Sequence, residues 1–238
     1  MSLWFIVSII IKRNDVADFA WGIGFVFVAW LSFVITGGSF KSLIINILVT
    51  IWGVRLATHI YKRNVNKPED ARYQAWRQSW KHFYFRSYLQ VFLLQGFLMF
   101  LISIPIIFVN KFIVTFGIID LIGISIWLIG FYFESTADRQ LSEFLHNPLN
   151  KGRLMDQGLW RYSRHPNYFG EVVQWWGLFI TALSIPLGYL TIIGPITITS
   201  IILFVSGVPL LEQKYKGRPD FEEYKRHTNI FIPLPPKK

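Results

Sequence analysis

The chain contains no cysteine. That excludes disulfides, thiolate chemistry and cysteine-ligated metal. Charge is also scarce: 16% of the 238 residues are charged, against roughly a quarter in ordinary soluble domains. No G-x-G-x-x-G follows a strand-like run, so a dinucleotide would not sit in a Rossmann domain. Internal repeats and low-complexity tracts are missing as well. The start, MSLWFIVSIII, lacks the basic leader and small-residue cleavage site of a secretory signal, and its basic pair, Lys12 and Arg13, comes after the apolar run. At 11 residues it is short of the roughly 20 that span a bilayer. It reads as a partial or re-entrant helix, or as a chain that begins downstream of its natural start.

What is abundant is apolar surface. Hydrophobic residues make up 53% of the chain and aromatics 18%. They fall into continuous blocks at 3–11, 16–36, 42–60, 88–109, 112–133, 168–185 and 190–211. Continuous rather than alternating blocks favour helices over a membrane barrel. The expectation is an all-α, polytopic transmembrane bundle of six to seven spans, a single integral membrane domain over 1–238 with loops 61–87 and 134–167 and tail 212–238 on one side. The formal charge of +10 follows the same plan. Lys and Arg number two in loop 12–15, seven in 61–87, five in 134–167 and seven in the tail, so 21 of 24 lie on alternate loops. By the positive-inside rule those loops are cytoplasmic. Topology thus accounts for the charge, and nucleic acid is not expected as a partner. The partner expected is the lipid bilayer, and chemistry is expected at or near the cytoplasmic face. Neither metal nor any particular oligomeric state is indicated.

Ionisable residues within or beside the blocks are costly, roughly 2.5–3.5 kcal/mol at a helix centre, and are functional candidates by default. They are Asp18, Arg55, His59, Asp120, Glu134, Asp138, Arg139, His165 and Glu171. Arg55 and His59, four apart, share a helix face. They suit an anion such as phosphate, or equally a buried ion pair with Asp18 and an interfacial histidine. Asp15 is expected to cap a helix, whereas Asp18, a turn deeper, suits a buried partner. Asp120 falls about mid-run. Glu134 and Asp138, also four apart, can accept from a ribose or an amide or share a proton; the alternative is a solvated helix end. In loop 61–87, Tyr73, Trp76 and Trp80 fall at helical spacing. The tryptophans suit an interfacial belt, while Arg72 and Tyr73 suit closure over a polar ligand.

The densest polar segment is GLWRYSRHPNYFGE, 158–171. Gly158 permits a sharp turn, and Pro166 starts a helix with Asn167 and Tyr168 in its first turn. Free N–H groups there favour an anion, and Arg161, Arg164 and His165 precede it. Glu171 lies one turn beyond Asn167 on the same side.

ESTADRQ at 134–140, GLWRYSRHPNYFGEVVQWWG at 158–177 and FEEYKRHTNIFIPLPP at 221–236 resemble the membrane steroid 5-alpha-reductase-like superfamily, in particular its bacterial DUF1295 branch. DVADFAWGIGF and EDARYQAW also resemble that branch, so the likeness covers nearly the whole chain. It implies a helical bundle that holds NADPH at its cytoplasmic side and reduces an enone or related C=C bond in a lipid-soluble, steroid-like substrate. Carried over, the cofactor residues are Arg55 near the phosphates, Glu134 and Asp138 near the nucleotide, and Tyr162, Asn167 and Glu171 around the nicotinamide and its ribose. Arg161, Arg164, His165 and Tyr168 complete the expected cofactor set. For the acid that steadies the enolate the candidates are Tyr73, Asp18 and His59. Two departures stand out: Trp52 occupies the place of a family tyrosine, and PLLEQKYKGRPD replaces a basic aromatic run. RHPNYFGE is also similar to the RHPxY motif of isoprenylcysteine and phospholipid methyltransferases, which implies S-adenosylmethionine as the alternative cofactor. Their downstream acidic pair is here a single Glu212. A non-catalytic membrane protein that keeps the pocket is the third possibility.

Overall fold

A computed structural model describes residues 1–237. Among the described residues its regular structure is helical, with one isolated bridge, Ser163 to Asn229, and no strand. The order is α1 Ser2–Ile11, α2 Val16–Thr36, α3 Phe40–Asn64, α4 Ala71–Ser79, α5 Phe83–Ser87, a π turn Tyr88–Leu93, α6 Leu94–Lys111, α7 Ile118–His146, α8 Pro166–Ala182, α9 Ile193–Ser200, α10 Val208–Tyr215 and α11 Pro219–His227.

Five helical stretches are long and apolar enough to cross a membrane: Val16–Thr36, Phe40–Asn64, Phe83–Lys111, Ile118–His146 and Gly188–Tyr215. This is an integral membrane protein. The other two expected spans are shorter. α1 has 10 residues and turns out at Lys12, φ 55°. α8 starts only at Pro166, because the polar motif precedes it, and its 17 residues cover about 25 Å at 1.5 Å per residue.

Contacts divide the chain into two compact units, residues 1–116 with 185–191 and residues 117–184 with 192–238. In the first, α2 packs on α3 and α6. Gly22 and Gly53 let α2 and α3 touch: a methyl group on Gly53 would stand 2.6 Å from the Gly22 carbonyl oxygen. Phe25 meets Trp52 edge-on at 5.5 Å, and both are buried. Trp52, at the place of the family tyrosine, is thus part of the packed core. Buried Asn110 donates to the Ala29 carbonyl (2.9 Å) and to Ser32 Oγ (2.6 Å) and accepts from Asn46 (3.1 Å). These bonds tie α6 to α2 and α3 with satisfied polar groups.

In the second unit α7 and α8 run antiparallel on a glycine seam. A methyl group on Gly130 would stand 2.6 Å from the Gly170 carbonyl oxygen, and one on Gly177 would stand 2.7 Å from that of Gly123. Small residues allow such close approach where lipid supplies no hydrophobic drive. Asp120, expected mid-span, stands in the first turn of α7 instead, since that helix begins at Ile118 and not at 112. It accepts from the Gly117 N–H (2.8 Å) and from Ser184 Oγ (3.2 Å).

Candidate functional site

The polar motif is built onto the α7–α8 seam from both ends. Gly158, at φ 60°, turns the chain into the short 3-10 stretch Gly158–Arg161. The Trp160 indole donates to the Ala137 carbonyl of α7 (3.1 Å), and the Leu159 N–H donates to Gln140 Oε1 (3.0 Å). Pro166 then opens α8, where a missing N–H costs nothing.

The tail straps this segment from the other side. The Arg164 N–H donates to the Asn229 carbonyl (2.8 Å), Ser163 Oγ to the Phe231 carbonyl (2.7 Å), and the Leu234 N–H to the Tyr162 carbonyl (3.1 Å). The Tyr224 hydroxyl on α11 donates to the Trp160 carbonyl. Burial raises the Tyr224 phenol above its ordinary range, outweighing the nearby Arg164 charge.

Arg164 and His165 converge on one acid. Arg164 donates from Nε (2.9 Å) and Nη2 (3.0 Å) to the two carboxylate oxygens of Glu212, and from Nη1 to the Thr228 carbonyl (2.7 Å). His165 Nε2 lies 3.0 Å from the same Glu212, and its ring stacks on Tyr168 at 5.7 Å. Both basic residues are buried. Glu212, read in sequence as the remnant of an acidic pair, thus clamps the motif. The Arg164 fork is turned to Glu212 rather than toward an open anion seat.

Across the seam two amides face two carboxylates. Asn167 Nδ2 donates to Asp138 Oδ1 at 3.1 Å, and Gln174 Nε2 donates to Glu134 Oε2. Glu134 and Asp138 are buried, so the solvated-end alternative does not hold; α7 continues past them to His146. Glu171 is half-buried one turn after Asn167. Three buried polar atoms here have no hydrogen-bond partner: His165 Nδ1, Asn167 Oδ1 and Gln174 Oε1. Buried polar atoms are normally satisfied, so the two amide oxygens suit a ligand's donors. Arg161 and Tyr162 are exposed. Arg161 lines a separate open cleft of about 710 Å³ beside α11, together with Arg153, Asp156, Asp220, Glu223 and His227.

The remaining candidates lie in the first unit. Tyr73 on α4 donates its hydroxyl to Asp18 Oδ1 (2.9 Å), and Arg72 reaches Asp18 (3.5 Å) and Asp70 (3.0 Å). Burial, then the Asp18 charge, pushes the Tyr73 phenol well up. Asp18 thus pairs with the amphipathic stretch rather than with Arg55. Arg55 and His59 sit half-buried on α3. Asp15 stands at the N-cap of α2, but its carboxylate turns to Arg13 (2.6 Å) instead of the helix N–H groups.

Gln174 carries no expectation from the motif. Its signal was its place on the Asn167–Glu171 face, at the third step of a helical period.

A model of the DUF1295 family, described as a protein of unknown function, matches residues 4–228. The chain belongs to that family. It is also similar to 3-oxo-5-alpha-steroid 4-dehydrogenase 1 of Bos taurus, 32% identical over 116 residues, which are 48% of this chain and 41% of the relative. The Homo sapiens protein of the same name is 30% identical over 115 residues, again 48% and 41%. The match spans about two fifths of those relatives' length. No solved structure matches the chain.

Proposed function

We propose that the protein is an NADPH-dependent membrane reductase acting on a C=C bond of a lipid-soluble, enone-like substrate, in a bacterial inner membrane with its site toward the cytoplasm. The observation that carries this reading is the α7–α8 seam. Asp138 orients Asn167, and the unpartnered amide oxygens of Asn167 and Gln174 suit the hydroxyl and amide donors of a nucleotide. The partial likeness to the two steroid dehydrogenases supports the reaction class. The side on which 21 of 24 basic residues fall supports the orientation.

In this reading Glu134, Asp138, Asn167, Tyr168 and Glu171 bind and orient the ribose and carboxamide, and Arg161 and Tyr162 are the candidates for the phosphates. The Arg164–His165–Glu212 clamp holds the first turn of α8 in place. NADPH, when bound, supplies the hydride. The acid is sought among Tyr73, Asp18 and His59, of which Tyr73 holds a proton at Oη that it donates to Asp18.

Titrating the purified protein with NADPH and with S-adenosylmethionine while following its melting temperature tests this. Saturable stabilisation by NADPH, lost in Asn167→Ala, is the expected result. Preference for S-adenosylmethionine would replace the reading with a methyltransferase, and a response to neither would leave a non-catalytic binding protein.

A further inference from the structure

Gln174 stands out because one half of its amide is well placed and the other half is not. The residue is 2% exposed. Its Nε2 faces two acceptors, Glu134 Oε2 and, at 3.3 Å, the Gly170 carbonyl. The opposite amide orientation would set oxygen against oxygen at both, so the NH2 group must point there. The carbonyl oxygen Oε1 is left buried and accepting from nothing. Leaving such a group unsatisfied is destabilising, yet Gln174 is held in that state. Gly130 makes room for this side chain: a methyl group there would stand 2.9 Å from Gln174 Cγ.

Asn167 repeats the pattern. Its NH2 is given to Asp138 and its Oδ1 is buried without a donor. Gln174 lies seven residues farther along α8, which is about 10 Å deeper into the apolar bundle. A dinucleotide entering from the polar end keeps its phosphates near water, because burying them is expensive. The part that reaches the depth of Gln174 is then its uncharged end, and the donor that this end carries is an amide N–H.

We propose that Gln174 is a ligand-contacting residue whose Oε1 accepts from the carboxamide N–H of the nicotinamide. The assignment rests on the NADPH reading above. Glu134 acts on the ligand through Gln174, by holding the amide so that its oxygen is presented.

The test uses the full-length protein in detergent and two ligands: NADPH and its 3-acetylpyridine analogue, in which a methyl group replaces the amide nitrogen. Wild type is expected to bind NADPH about tenfold or more tightly than the analogue, the worth of one buried hydrogen bond. Gln174→Met is expected to bind the two alike, at the weaker affinity. A role confined to packing would weaken both ligands equally and leave the discrimination intact, which overturns the proposal. Equal binding of both ligands by wild type also overturns it, and needs no variant that folds. Failure of wild type to bind NADPH at all removes the reductase reading and this inference together.

Discussion

Gly130 of α7 and Gly170 of α8 meet backbone to backbone: a methyl group built on Gly170 would stand 2.5 Å from the Gly130 carbonyl oxygen. The same meeting recurs seven residues away on each helix, between Gly123 and Gly177. This contact brings Asp138 within reach of Asn167 and Glu134 within reach of Gln174. A side chain in the seam separates the helices and with them both carboxylate–amide pairs. Gly130→Val and Gly177→Val are each expected to cost about 1–3 kcal/mol or more, read as a lower melting temperature in detergent. Gly117→Ala, where a methyl group meets nothing within 4 Å, is expected to stay within about 0.5 kcal/mol of wild type.

Glu212 is the acid on which two buried basic residues depend. Removing it leaves Arg164 without its bidentate partner in a buried site, so Glu212→Ala should cost about 3 kcal/mol. Glu212→Gln keeps one acceptor oxygen and should cost less. The double variant Glu212→Ala with Arg164→Met should recover much of the loss, since the uncompensated charge goes with it. Thermal melts of wild type, Glu212→Ala, Arg164→Met and the double variant check this coupling.

Asn167→Asp sets a carboxylate against Asp138. The two acids then share a proton or repel, and the NADPH-dependent rise in melting temperature should vanish at pH 8 and return in part at pH 5. A rise that is equal at both pH values would mean that Asn167 does not orient toward Asp138 as described.

Tyr73 is expected to matter for rate more than for fold. Tyr73→Phe should lower kcat on an enone substrate by about a hundredfold or more, with NADPH affinity within a factor of two.

The same phenol carries a pH prediction. The folded-state pKa of Tyr73 lies above its ordinary value near 10, and that of Tyr224 is raised as well. The stabilisation tied to their protons is therefore complete below pH 10 and is lost as pH rises, because the unfolded chain ionises first. Melting temperatures should fall above pH 10, and less steeply in Tyr73→Phe than in wild type. A flat profile there would contradict the buried phenol.

Much of this protein could be read along the chain because the bilayer leaves few choices. Backbone groups in lipid must bond within their own segment, so the long apolar runs had to become helices, and five of them did so at the length of a crossing. The helical face shared by Glu134 and Asp138 was legible for the same reason: periodicity is local. Where α7 begins was not, and Asp120 moved from mid-span to a first turn because apolar residues alone do not mark a helix end. Partner choice was out of reach altogether. Whether Arg164 meets a ligand or Glu212, and whether Gln174 meets lipid or Glu134, depends on which faces the glycines allow to touch. Such contacts join residues 40 and 48 positions apart, and side-chain spacing within one helix carries no information about them.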